Sequence, residues 1–131
     1  MNLVFVYGSL KKGFGNHRLL ENSKRIAEGI TLTDSFDMGS CGGFPGVTSG
    51  GEYRIYGELY EVDDDTFERL DTLEGNGHFY EREEIDIMSI SQPAARVYKA
   101  WIYILDNYNY YRSDISRIEI EEKFKAKIWK Q

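Results

Sequence analysis

The sequence predicts an α+β fold, a closed or strongly curved sheet with a few helices on its outside. Three observations lead there. Strand-like segments outnumber helix-like ones by about five or six to two. Leu, Ile, Val and Phe make up about a quarter of the 131 residues, enough to bury a core at this length without disulfides or a structural metal. No internal repeat, charge block or low-complexity tract interrupts the chain, so residues 1–131 are expected to form one domain.

The elements follow in order. Leu3-Val4-Phe5-Val6-Tyr7 is an unbroken apolar run, rich in β-branched and aromatic residues, that stops at Gly8. Such a run predicts a central strand buried on both faces. Asn16 is placed to cap a short helix through Leu19 and Leu20. Ala27 to Phe36 mixes Ile, Leu and Thr in a looser strand-like pattern. Gly39 to Gly46 holds four glycines and Pro45, with Gly50-Gly51 shortly after, and reads as loop. From Tyr53 to Val62, Tyr53, Ile55, Gly57 and Leu59 alternate with Arg54, Tyr56, Glu58 and Tyr60, the period of a strand. Asp63-Asp64-Asp65 then supplies a capping carboxylate and a negative first turn, and Phe67, Leu70 and Glu74 recur at i, i+3 and i+7. This predicts a helix that Gly75 stops. Ile85, Ile87 and Ile90 mark a strand that begins near Phe79, and Val97 to Leu105 marks another. Ile118, Ile120, Phe124, Ala126 and Ile128 share even parity in a tail that fits either a strand or a helix.

Charge and cysteine usage narrow the function classes. Sixteen basic against 22 acidic residues give a net charge of −6, a surface field that repels phosphate backbones and anionic lipid. Neither a nucleic-acid nor a membrane partner is expected. No apolar run approaches the roughly 20 residues needed to cross a bilayer, and Met1 leads straight into a strand-like run, so a cytoplasmic location is expected. Cys41 is the sole cysteine, which excludes an intrachain disulfide and a cysteine-based zinc cage. With only His17 and His78 besides, far apart in sequence, no metal is expected.

Five features are candidates for a functional site. The spacing of Glu74 from Phe67 and Leu70 turns its carboxylate toward the buried stripe of the helix. Burial there, with the negative helix end close by, would raise its proton affinity into the range of a general acid or base. If the last turn unwinds instead, Glu74 is a solvated helix-end carboxylate, and spacing alone leaves both readings open. Tyr7-Gly8-Ser9-Leu10 follows the buried strand directly. A glycine at a strand end lets successive N–H groups face a carboxylate or oxyanion, although an ordinary glycine turn has the same sequence. Cys41 with His17 or His78 offers a thiol-hydrolase reading, against which an incidental cysteine stands. Tyr80 and Arg82 share one strand face, fit either to orient a small zwitterion or to make cross-strand pairs. The tyrosine-rich run from Asp106 to Arg112 is read as a binding lid or as rings packed on the shoulder of the domain.

Taken in order, Tyr7-Gly8-Ser9-Leu10-Lys11-Lys12-Gly13, Asn16-His17-Arg18, Phe44-Pro45-Gly46, Gly57-Glu58-Leu59-Tyr60, Leu70-Asp71-Thr72-Leu73-Glu74-Gly75 and Tyr80-Glu81-Arg82 resemble the gamma-glutamylcyclotransferase-like family. The Asn-His-Arg segment is most similar to its gamma-glutamylamine cyclotransferase and AIG2-like branch. The motifs span residues 3–104, and the tail from 108 onward matches none of them. The resemblance implies a small mixed β-barrel with a ligand cavity. It also implies that Tyr7, Gly8, Ser9 and Leu10 form the substrate loop, that Glu74 is the catalytic acid/base and that Tyr80 lies close to it. The implied partner is a small γ-glutamyl amide, cyclised to 5-oxoproline with release of an amine, and the reaction so implied requires no cofactor. A binding module that holds a γ-glutamyl or amino-acid-like ligand without reacting it is the alternative.

Overall fold

The computed structural model describes residues 1–41, 43–75, 80–105 and 117–130. Nine strands are seen among them: β1 (Asn2–Val6), β2 (Lys24–Thr31), β3 (Phe36–Ser40), β4 (Pro45–Ser49), β5 (Arg54–Val62), β6 (Glu81–Ser89), β7 (Val97–Ile104), β8 (Ile118–Glu121) and β9 (Ala126–Trp129). One α-helix, α1 (Asp64–Glu74), and a 3-10 turn (His17–Leu20) complete the described elements. Strands β1, β7, β6, β2 and β5 pair in that order, and β5 pairs back onto β1, which closes a five-stranded barrel. The barrel is mixed, because β1 runs parallel to β7 while its other neighbours are antiparallel. Among the described residues no helix is long and apolar enough to cross a membrane.

Strand parity divides the core in two. Phe5, Ile55, Leu59, Ile87 and Ile102 converge on a cluster that fills the ring, with Trp129 of β9 packed into it. Alternate residues Val4, Val6, Tyr60 and Val62 face the other way and meet Leu20, Phe67 and Leu70. The run that opens the chain is therefore buried on both faces, as its unbroken apolar sequence predicts. Inside the ring, Gly29 on β2 and Gly57 on β5 stand opposite each other, and the ring of Phe5 lies against both. Two missing side chains make the slot that the aromatic ring occupies.

Helix α1 is built as its sequence requires. The Asp63 carboxylate accepts from the Thr66 amide at 2.7 Å, and Gly75 ends the helix in a left-handed conformation (φ 61, ψ 47) with its N–H donating to Asp71 and Thr72 carbonyls.

Several expectations need correction. The glycine-rich segment is not all loop: β3 and β4 form a two-stranded hairpin in which Ser40 faces Pro45, an arrangement open to proline because the pair is narrow and edged. The looser strand before it is Lys24–Thr31 and stops short of Phe36, which opens β3. The later strand begins at Glu81 and ends at Ser89, before Ile90; Phe79 lies outside the described residues. Within the tail, β8 and β9 form an antiparallel pair, and β9 lies parallel beside β5. Even-numbered Ala126 is buried and Ile118 packs against the inner cluster, but the large side chain inserted into the core is odd-numbered Trp129, which parity does not select.

Candidate active site

A cavity of about 370 Å³ opens where β1 ends. Its wall is assembled from the bend Tyr7–Leu10, the C-terminal end of β7 at Tyr103, the hairpin residues Phe44 and Pro45, and the last turn of α1 with Leu73 and Glu74. Tyr80 closes the circuit: its backbone N–H donates to the Glu74 carbonyl at 3.2 Å, which holds it against the end of α1. All six site residues expected from the sequence, Tyr7, Gly8, Ser9, Leu10, Glu74 and Tyr80, thus line one cavity.

The carboxylate of Glu74 is the ionisable group that matters most there. Burial pushes its pKa up from 4.5 to about 7, because a carboxylate removed from water favours its neutral form. The last helical turn does not unwind, so the reading in which Glu74 is freely solvated is the one that fails.

Opposite Glu74, the bend is tied down through its carbonyls. Gly8 O accepts from the Lys11 amide at 3.0 Å, Ser9 O from the Asn16 amide at 2.9 Å, and Leu10 O from His17 Nδ1 at 2.9 Å. The carbonyls of the bend are therefore engaged within the chain. Asn16 Nδ2 also donates to Ser9 Oγ at 2.9 Å, which leaves the serine proton to be given elsewhere. Asn16 makes no side-chain cap on the 3-10 turn; its amide is spent on the serine instead. Gly8 is required by space, since a Cβ there would stand 2.9 Å from the Pro45 ring.

The supports behind the bend were not visible in the sequence. Lys11 is buried and donates from Nζ to the Trp129 carbonyl at 2.6 Å, with its ammonium over the Phe14 ring. Burial lowers its pKa to about 8, and the nearby Glu58 charge opposes that shift. Glu58, also buried, accepts from the Lys12 amide at 2.8 Å and the Tyr60 hydroxyl at 2.9 Å. The tail strand β9 thus serves as an anchor for the bend.

The tyrosines hold the walls together. Tyr7 donates its hydroxyl proton to the Tyr103 carbonyl at 2.7 Å, and Tyr80 donates to the Pro45 carbonyl at 2.8 Å. Arg82 is absent from the described cavity wall, contrary to the zwitterion reading: its guanidinium sits over the Phe67 and Trp101 rings and its Nε is 3.6 Å from Asp71 Oδ1.

Cys41 lies outside the wall as well, buried in the outer core cluster, where loss of water pushes its thiol pKa up to about 11. His17 directs Nδ1 at the Leu10 carbonyl and packs against Tyr60, with ring centroids 5.8 Å apart. His78 and the run 106–112 lie outside the described residues. A thiol this far from ionisation is a poor nucleophile, so Cys41→Ala is expected to keep kcat/KM within about two-fold. Iodoacetamide treatment of the native protein is expected to leave activity intact. Turnover assays before and after alkylation check both. Among the described residues no group of three or more His, Cys, Asp or Glu is placed to hold a metal ion.

Comparison with known proteins identifies the family. A protein of Methanocaldococcus jannaschii, named as a candidate gamma-glutamylcyclotransferase, is 41% identical over 105 residues, which cover 79% of this chain and 83% of that one. Gamma-glutamylaminecyclotransferase B of Danio rerio is 35% identical over 118 residues, 82% of this chain and 61% of that protein. The crystal structure of an AIG2-like protein from Mus musculus superposes with a TM-score of 0.75 at 26% identity, covering 83% of this chain and 80% of that one. The profile described as gamma-glutamyl cyclotransferase, AIG2-like, matches residues 4–130, nearly the whole length, and the chain belongs to that family.

Proposed function

We propose that this protein cyclises a γ-glutamyl amide to 5-oxoproline and releases the amine. The observation that carries the reading is a single carboxylate with a pKa raised to about 7, in the wall of a cavity whose other wall is the bend Gly8–Leu10.

In the proposed reaction the substrate supplies both partners. Its α-ammonium gives a proton to ionised Glu74, the freed amine attacks the γ-carbonyl, and a five-membered ring closes as the carbon–nitrogen bond to the leaving amine breaks. Glu74 returns that proton to the departing nitrogen, and the second proton shed by the attacking nitrogen passes to the released amine, which leaves as an ammonium ion, so protons balance without a second acid. The N–H groups of Gly8, Ser9 and Leu10 hold the α-carboxylate or the developing oxyanion, where fixed donors in a water-poor site are most effective. Tyr7 and Tyr80 brace the wall that bends the glutamyl chain into its near-attack shape.

The test is to incubate the purified protein with a panel of γ-glutamyl amides and to quantify 5-oxoproline and free amine together. Equimolar release from at least one member supports the proposal. Saturable binding with no product across the panel would leave a binding module instead.

The pH profile follows from the direction of the Glu74 shift. The base must be ionised, so kcat/KM is expected to be low at pH 5 and to rise about tenfold per unit until it levels near pH 7. In Glu74→Asp, any residual rate is expected to show a displaced inflection, because its carboxyl sits elsewhere in the cavity. A wild-type profile flat from pH 5 to 8 would remove Glu74 from the role of base.

A further inference from the structure

Tyr103 is a cavity residue with a carboxylate partner. Its hydroxyl donates to Asp71 Oδ1 at 2.7 Å, and Arg82 Nε reaches the same oxygen at 3.6 Å from a guanidinium stacked on Phe67 and Trp101. Asp71 sits three residues before Glu74 on α1, so one helix face supplies both acids. A phenol has one proton, and here it is committed to Asp71. Burial, that hydrogen bond and the charges of Asp71 and Glu74 all hold the proton on Tyr103 far more tightly than on an exposed phenol. The Tyr103 hydroxyl is therefore neutral, fixed in direction and within electrostatic reach of Glu74, and its lone pairs make it an acceptor.

Donors and acceptors are thus segregated in the cavity. On the side of the bend the carbonyls are engaged within the chain and the Ser9 hydroxyl keeps a proton to give, which suits anionic oxygens. On the side of α1 and β7 the cavity is lined by Glu74 and by Tyr103, whose hydroxyl is held by Asp71, and acceptors of this kind suit an ammonium group. We infer that Tyr103 accepts a hydrogen bond from the α-ammonium of the substrate and is a binding residue for that group, with Asp71 and Arg82 as positioning residues that act through it. The inference rests on the γ-glutamyl amide reading above. It adds the second acceptor that aims the nitrogen while Glu74 removes its proton.

Binding to the Glu74→Gln protein tests this without turnover. The probes are γ-L-glutamylethylamide and its desamino analogue, glutaric acid monoethylamide, which differ only in the α-ammonium. Calorimetry is expected to show that adding Tyr103→Phe weakens the first by about tenfold or more, the scale of a charge-assisted hydrogen bond, and the second by less than about twofold. Adding Asp71→Asn instead is expected to weaken the first probe selectively too. Both changes together are expected to be no worse than Tyr103→Phe alone, as for residues that act in series. Equal weakening of both probes, or no weakening of either, would overturn the assignment and leave Tyr103 a structural residue. If Glu74→Gln protein with Tyr103 intact binds neither probe, the γ-glutamyl reading itself falls and the inference with it.

Discussion

Replacing Glu74 by glutamine is expected to lower kcat on a γ-glutamyl amide by about 10²–10⁴-fold while the protein stays folded and still binds substrate. Glutamine keeps the shape and removes only the ability to carry a proton, so the loss measures the two transfers assigned to this side chain. The same substitution is expected to stabilise the protein at neutral and alkaline pH. Glu74 has a folded pKa near 7, above its ordinary 4.5, so between those values the native state holds a proton that the unfolded chain has released. Stability of the wild type therefore falls as pH rises through that window, and the whole penalty is in force above it. Glu74→Gln has no such penalty. Its melting temperature is expected to exceed that of the wild type at pH 8, with the difference shrinking toward pH 4. Thermal melts at both pH values, beside the activity assay, check the pair of outcomes. A residue that costs stability where it sits, and whose removal abolishes turnover, is what a site selected for chemistry would contain.

Gly57→Ala is expected to be the most damaging small substitution in the barrel, at about 3 kcal/mol or more. A Cβ at this position would stand 2.4 Å from the Val6 carbonyl oxygen and 2.8 Å from the Phe5 ring. The oxygen belongs to backbone paired within β1 and β5, and the ring is wedged between Gly57 and Gly29, so neither can withdraw cheaply. Any shift also moves the end of β1, where the bend begins, and activity is expected to fall with stability. Urea denaturation is the check: the midpoint should drop with little change in slope, since the native topology and the area exposed on unfolding are retained.

What could be read from the sequence depended on how strongly each segment's pattern was tied to one structure. The strand through Phe5, the alternating run that became β5 and the capped helix α1 were legible because their periodicity, their cap and their stop residue agree. The hairpin of β3 and β4 was hidden, because four glycines and Pro45 speak for turns, and only pairing in space makes a strand of them. The tail was ambiguous for a similar reason: β8 and β9 have four residues each, too few to show a period. Within the site, Glu74 was found by its anomalous place on an apolar helix stripe. Tyr103 was not, because in the run Val97 to Leu105 it is one more aromatic residue in a buried strand, and its bond to Asp71 joins positions 32 apart. Lys11 was missed in the same way; a lysine after a glycine bend reads as surface, and the Trp129 carbonyl that receives it comes from 118 residues away. Long-range polar pairs of this kind leave no local signal.

The central physical claim is that the Glu74 carboxyl is sheltered in the cavity beside the glycine bend, and carbon-13 NMR titration of the glutamate side-chain carboxyls measures it directly. The Glu74 resonance, assigned by its loss in Glu74→Gln, is predicted to titrate near pH 7. A midpoint close to the ordinary value of 4.5 would mean a carboxylate open to water, and would contradict the account.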